Sequence, residues 1–175
     1  MYKRADMFRT KDFILMDVCN TKGRKIGFVK DIIIDFHDGE VKGFVISSYK
    51  IFQSTICVLK EDIVSFNKSM VISKCNNNKY LKFSDIKNMD IVNKSGDIIG
   101  MMEDILFHEF SFKIHGVIVS TGFIKNLISG KRVFLLKNMI LGEESILCFN
   151  DVSKIDLISI PHKLFTEVGN HEKNI

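Results

Sequence analysis

Gly23-Arg24-Lys25-Ile26-Gly27-Phe28-Val29-Lys30-Asp31-Ile32 returns later in the chain as Gly96-Asp97-Ile98-Ile99-Gly100-Met101-Met102-Glu103-Asp104-Ile105. The two stretches lie 73 residues apart, and the match extends well beyond them. Asp12, Met16, Asp17, Asn20, Gly43 and Ser47 recur as Asp85, Met89, Asp90, Asn93, Gly116 and Ser120. Over positions 12 to 47 there are 11 identities without a gap. A fixed-period repeat of this kind is the mark of an internal duplication. Past Ser47 the register slips, and Val58-Leu59-Lys60 aligns with Leu135-Leu136-Lys137. That alignment gives the second copy four extra residues, within the stretch Gly122 to Gly130.

Each copy has the pattern of short strands between turns. Asn20-Thr21-Lys22-Gly23 and Asn93-Lys94-Ser95-Gly96 are loops whose glycines suit a positive φ. Gly27 and Gly100 interrupt apolar runs and mark a bulge or bend within a strand. Phe36-His37-Asp38-Gly39-Glu40 forms a hairpin turn. In the second copy Phe112 replaces Gly39, which predicts a hairpin of different geometry. Short helical turns are expected near Lys60-Glu61-Asp62 and Ser84-Asp85, and a short helix over His162 to Val168. Lys74-Cys75-Asn76-Asn77-Asn78-Lys79 reads as a polar linker. The expected division is 1–75, 81–158 and a tail over 159–175.

These residues resemble the PRC-barrel family. The shared pattern is an acidic lead, a turn closing on glycine, then I-G-x-[VI]-x-D, an apolar strand and G-x-[VI]. It is carried by Asp17, Gly23, Ile26-Gly27, Asp31 and Gly43, and again by Gly96, Ile99-Gly100, Asp104 and Gly116. The resemblance implies an all-β protein of two tandem six-stranded PRC-type β-barrels with a short C-terminal helical tail. Family members include the cytoplasmic part of a photosynthetic reaction-centre subunit and the C-terminal domain of a ribosome-maturation factor. Both are binding roles, and the chain is most similar to stand-alone bacterial proteins with two copies.

A hydrophobic content of 46% is normal for a globular protein. Lys and Arg number 25 against 21 Asp and Glu, for a net charge of +4. The first thirty residues carry most of that excess, with Lys22, Arg24 and Lys25 clustered in and after one loop. A basic surface there makes an RNA- or ribosome-associated factor the alternative reading. The cysteines Cys19, Cys57, Cys75 and Cys148 have neither C-x-x-C nor metal-ligand spacing. The segment Met1 to Met7 lacks the apolar core of a signal peptide, and no apolar run reaches the ~20 residues of a membrane span. A cytoplasmic location with reduced thiols is the expectation.

No residue set carries a reaction. Asp31 and Asp104 could be taken as paired catalytic acids, and Asp17 and Asp90 likewise, but duplication alone makes them recur. An aspartate that satisfies nearby backbone N–H groups recurs in the same way. The glycines fit neither a phosphate loop nor a dinucleotide fingerprint. His37, His108, His115, His162 and His171 show no ligand spacing. The expectation is therefore no catalytic residue, no metal and no cofactor. The candidate partner-binding residues are apolar and lie in the variable loops: Tyr49, Ile51 and Phe52 in copy one, and Phe123, Ile124, Leu127 and Ile128 in copy two. Such side chains are covered either by the neighbouring barrel or by a partner, which includes self-association.

Overall fold

The computed structural model describes residues 7–50, 55–122 and 132–149. The first copy contains β1 (Met7–Arg9), β2 (Asp17–Asn20), β3 (Lys25–Asp35), β4 (Glu40–Ser48), β5 (Ile56–Leu59), β6 (Ile63–Phe66) and β7 (Ser69–Ile72). One turn of helix, α1 (Phe83–Ile86), opens the second. There follow β8 (Asp90–Val92), β9 (Ile98–His108), β10 (Ile114–Ser120), β11 (Arg132–Leu135), β12 (Met139–Leu141) and β13 (Ser145–Cys148). Three-residue 3-10 turns stand at Thr10–Asp12, Lys60–Asp62 and Leu136–Asn138. The helical turns expected near Lys60 and Ser84 are present. The expected helix over 162–168 lies outside the described residues.

The two sheets have the same order, β5-β4-β3-β2-β7-β6 and β11-β10-β9-β8-β13-β12. The family resemblance implies six-stranded barrels; the sheets instead remain open, with no ladder joining β5 to β6 or β11 to β12 among the described residues. In each copy these rim strands are consecutive and separated only by a 3-10 turn. Its non-extended backbone interrupts hydrogen bonding where closure would occur.

The repeat is visible in the backbone. Leu15 and Asn88 have φ of +70° and +68° at equivalent positions, and Gly23 and Gly96 have +74° and +87°. Gly39 adopts φ +62°, and Phe112 adopts +56°. The second hairpin thus keeps the left-handed residue that its loss of glycine was expected to remove. An aromatic residue there costs about 1–2 kcal/mol. Burial offsets that cost, since Phe112 is 7% exposed and packs on Phe44, Phe66 and Phe107. The structure also corrects the insertion. Gly43 pairs with Leu59 and Gly116 with Leu135, while Asp17 pairs with Ser69 and Asp90 with Ser145. Both offsets are 76, so the second copy is longer by three residues rather than four.

Gly27 and Gly100 stand where the ladders to β2 and β8 shift register. Their glycine character reflects close approach by a neighbouring strand. A Cβ on Gly27 would lie 2.0 Å from the Ser47 carbonyl oxygen, and one on Gly100 2.4 Å from Val119 Cγ1. Gly43 and Gly116 meet the same constraint from β5 and β11. A second irregularity falls at Lys30 in β3 and at Glu103 in β9. These bulges turn Asp31 and Asp104, the next residues, onto the outer face of each sheet.

The copies interlock instead of sitting side by side. β1 belongs to copy one by sequence, yet it pairs with β9 of copy two over Leu106–His108. Reciprocally, the lead of copy two crosses to β3, with Ile34 N donating to Leu81 O at 3.0 Å and Lys82 bridging Ile33. Asp104 anchors one exchange by accepting Arg9 Nε (2.8 Å), Thr10 N (3.1 Å) and Thr10 Oγ1 (2.5 Å). At the centre Val41 N donates to Phe112 O and Ile114 N to Gly39 O, both at 2.8 Å. Those symmetric bonds mark a pseudo-two-fold axis between Glu40 and Lys113, which face each other across a bridge. The apolar core is likewise common to both copies. Phe13 touches Phe44 of its own copy and Phe107 of the other, with centroids 4.8 and 5.7 Å apart.

Candidate interaction surfaces

Pairing of the copies creates a cleft beside the pseudo-axis. It is about 850 Å³ in volume, between the β3–β4 hairpin of copy one and the Leu136–Leu141 stretch of copy two. Ile34, Phe36 and Leu81 form one wall, and Leu136, Met139 and Leu141 the other. Asp35, His37, Asp38, Lys113 and Lys137 supply polar groups around them. Across the axis, the large Phe8, Phe66, Phe107 and Phe112 rings pack together in the corresponding region. The two sides of the pseudo-dimer are therefore unequal. At the cleft's open edge Ile140 is 56% exposed.

Charge beside the cleft is organised by Glu40, which is buried at 7% exposure. Its carboxylate bonds Lys60 Nζ, lies 3.1 Å from Lys42 Nζ, and is 3.9 Å from Lys113 Nζ. The Lys60 hydrogen bond holds the Glu40 carboxyl below its ordinary range, helped by Lys42 and opposed by burial. Lys42 is raised in turn, chiefly by its bond to Glu40. In a symmetric homodimer the same residue would stand on both sides of the axis. Here the duplicated positions have diverged to opposite charges.

A second surface surrounds Tyr49, which is half exposed. Its hydroxyl donates to Asp17 Oδ1, and Lys25 Nζ donates to Asp17 Oδ2 at 2.6 Å. Asp17 is held below its ordinary value by Lys25 first and Tyr49 second. Both partners are raised by the bond to Asp17. Tyr49 also leans on the Phe28 ring, with centroids 5.8 Å apart. Lys22 and Arg24 are exposed on the adjoining loop, whose backbone is fixed by Asn20 Oδ1 accepting from both amides at 3.0 and 2.9 Å. Of the three basic candidates, Lys25 is thus committed to an internal ion pair.

The equivalent face of copy two has different chemistry. Ile98 stands where Lys25 does and is 63% exposed, while Met101 replaces Phe28 and is 43% exposed. Asp90 has no tyrosine beside it, because Gly122 occupies the place of Tyr49. The remaining apolar candidates, Ile51, Phe52, Phe123, Ile124, Leu127 and Ile128, lie outside the described residues. Among the described residues no His, Cys, Asp or Glu cluster has the makings of a metal site. Cys19, Cys57 and Cys75 are free thiols, and burial pushes the Cys57 thiol up.

Duplicated strand order, the left-handed positions and the 73-residue repeat all describe one domain type used twice. The PRC-barrel domain profile matches residues 5–74 and again residues 78–154. The chain belongs to the PRC-barrel family. No curated protein matches it. The PRC-barrel is a domain of the protein-interaction type. Among the described residues of this tandem PRC-barrel protein, no helix is long and apolar enough to cross a membrane. Sequence reasoning did not find the cleft, because its walls come from segments about a hundred residues apart that only the exchange of leads brings together.

Proposed function

We propose that this chain is a non-catalytic adaptor or scaffold that binds another protein, and that it works in the cytoplasm. The observation that carries this reading is the cleft beside the pseudo-axis. Apolar walls with a few convergent polar groups, at the junction of two structural units, are the usual form of a recognition site. Interlocked leads give the cleft a rigid frame, so little ordering entropy opposes binding. Duplication supplies the frame, and divergence of one side opens it to a single partner.

Ile140 provides the test. It is exposed at the cleft edge, so Ile140→Asp should alter stability by less than about 0.5 kcal/mol. The full chain is used as bait in extracts of its host, with and without nuclease. Proteins retained after nuclease and lost with Ile140→Asp support the adaptor reading. The same proteins on both baits overturn the cleft as the binding site. Capture that disappears with nuclease replaces the adaptor reading with the RNA-associated alternative.

A further inference from the structure

Asp31 and Asp104 occupy equivalent positions after equivalent bulges, but they are satisfied differently. Asp104 Oδ2 accepts both Arg9 Nε and Arg9 Nη2, each at 2.8 Å, while its Oδ1 takes Thr10 and Ile105 N (2.9 Å). Asp31 is nearly as buried, at 8% exposure. Its Oδ1 accepts Ile32 N at 2.8 Å and Ser84 N at 3.4 Å. Its Oδ2 has no hydrogen-bond or ion-pair partner among the described residues. Among the described residues no side-chain oxygen cut off from solvent lacks a partner, so this atom is open to space. That space is a pocket of about 510 Å³ on the outer face of the first sheet, where Asp31 joins Val45, Cys57 and Tyr80.

The second copy shows which chemistry suits this carboxylate. Position 82 is the counterpart of Arg9, but it is a lysine, and its ammonium lies 3.4 Å from Asp85 Oδ1. Position 83 is the counterpart of Thr10, but phenylalanine has no hydroxyl to offer. The chain thus withholds from Asp31 both groups that it gives to Asp104. Lys30, Lys79 and Lys82 also line the pocket, so a bare cation would meet repulsion there. A guanidinium carried next to a carboxylate satisfies both halves of the site. The planar fork can place two N–H groups on one carboxylate oxygen, as Arg9 does, which an ammonium on a flexible stem does less well.

We propose that the Asp31 pocket receives an arginine side chain of a partner protein, with the guanidinium on Asp31 Oδ2 and an acidic neighbour of that arginine on the rim lysines. The proposal rests on the protein-binding reading above and adds a second, chemically specific contact to it. The test follows the amides of Ile32 and Ser84 by NMR in the full chain as the peptide Ac-Asp-Arg-Asp-NH2 is added to about 10 mM, a range that detects millimolar affinity. Ac-Asp-Lys-Asp-NH2 and free L-arginine are the comparison arms.

Saturable shifts with the arginine peptide are expected, at least tenfold weaker with the lysine peptide and with Asp31→Asn. Lys82→Arg supplies the guanidinium from within and preserves the fold, so it should weaken the peptide by a similar factor. No saturable shift in the wild type, or equal binding by both variants, overturns the proposal. Free arginine binding as tightly as the peptide overturns the partner protein as its source. If the peptide is ignored while proteins are still captured through the cleft, the pocket falls and the adaptor reading stands. If the peptide binds but no protein is captured, the adaptor reading and the partner-protein source fall together, leaving only the guanidinium chemistry.

Discussion

The unequal roles of Asp31 and Asp104 make a sharp stability prediction. Asp104→Asn keeps the side-chain volume but removes the charge. The native carboxylate accepts two bonds from Arg9, two from Thr10 and one from Ile105 N. An amide can accept at one end only, so its NH2 would face donors. Breaking a buried ion pair from one side typically costs about 3–5 kcal/mol. Arg9 retains 22% side-chain exposure and recovers part of its hydration, which points to the lower end, about 3 kcal/mol. Asp31→Asn keeps an oxygen for the two backbone amides, both of which donate to Oδ1, and loses only the charge that strengthens those bonds, so it should cost about 1 kcal/mol. For a chain of this length a difference of 2 kcal/mol separates the melting temperatures by roughly 4–8 °C. Urea unfolding of the wild type and both variants, followed by circular dichroism, measures it. Equal losses, or a larger loss for Asp31→Asn, would refute the claim that the Arg9–Asp104 anchor holds the copies together.

Other consequences follow from single positions. Gly27→Ala places a methyl 2.0 Å from a backbone oxygen and should cost about 3 kcal/mol or more, whereas at Gly100 the nearest atom is a Val119 methyl and about 1–3 kcal/mol is expected; chemical denaturation ranks the two. Leu15 is 71% exposed with φ +70°, so Leu15→Asn, which copies Asn88, should stabilise by about 1 kcal/mol in the same assay. Glu40 is held below its ordinary value of 4.5 in the folded state. Its contribution to stability is therefore complete above that value and is lost as pH falls towards its folded value. Glu40→Gln should flatten this acid limb in a stability–pH profile, and an unchanged limb would remove Glu40 from the account.

The duplication, the glycine loops and the β3–β4 hairpin were legible because they depend on local chemistry that recurs. Asn20 and Asn93 tie the same loop in the same way, and the bulges before Asp31 and Asp104 are imposed by equivalent ladders. Phe112 misleads because the conformational preference of one residue was overridden by burial in an aromatic cluster drawn from both copies. The interaction surfaces were less accessible to sequence reading for a similar reason. Tyr49 could be singled out, but its carboxylate partner lies 32 positions away in another strand. The cleft walls and the Asp31 pocket depend on which copy each lead joins, and nothing in a lead's own sequence states that.

That exchange of leads bears on how the chain folds. A clean tandem repeat suggests two units, each able to fold alone, with a cut in the polar linker near residue 76. The geometry predicts the opposite. Separated from copy two, residues 7–76 would leave β1 without β9, Phe8 and Phe13 without Phe107, and Phe44 and Phe66 without Phe112. They would also lose Leu81 and Lys82, which extend the edge of β3, and Phe83 and Ile86, which α1 buries in the common core. Uncovering Phe8, Phe13, Phe44 and Phe66, which pack on Phe107 or Phe112, at about 1.5–3 kcal/mol each amounts to about 6–12 kcal/mol, comparable to the whole stability of a typical domain. The isolated first copy should therefore remain unfolded or pair with a second molecule of itself, which would restore the axis with Glu40 facing Glu40. Light scattering and amide-proton dispersion on residues 1–79 distinguish these from the third outcome. A folded monomer of that fragment would show that the shared core is an addition to two self-sufficient domains, and the interlocked account would be wrong.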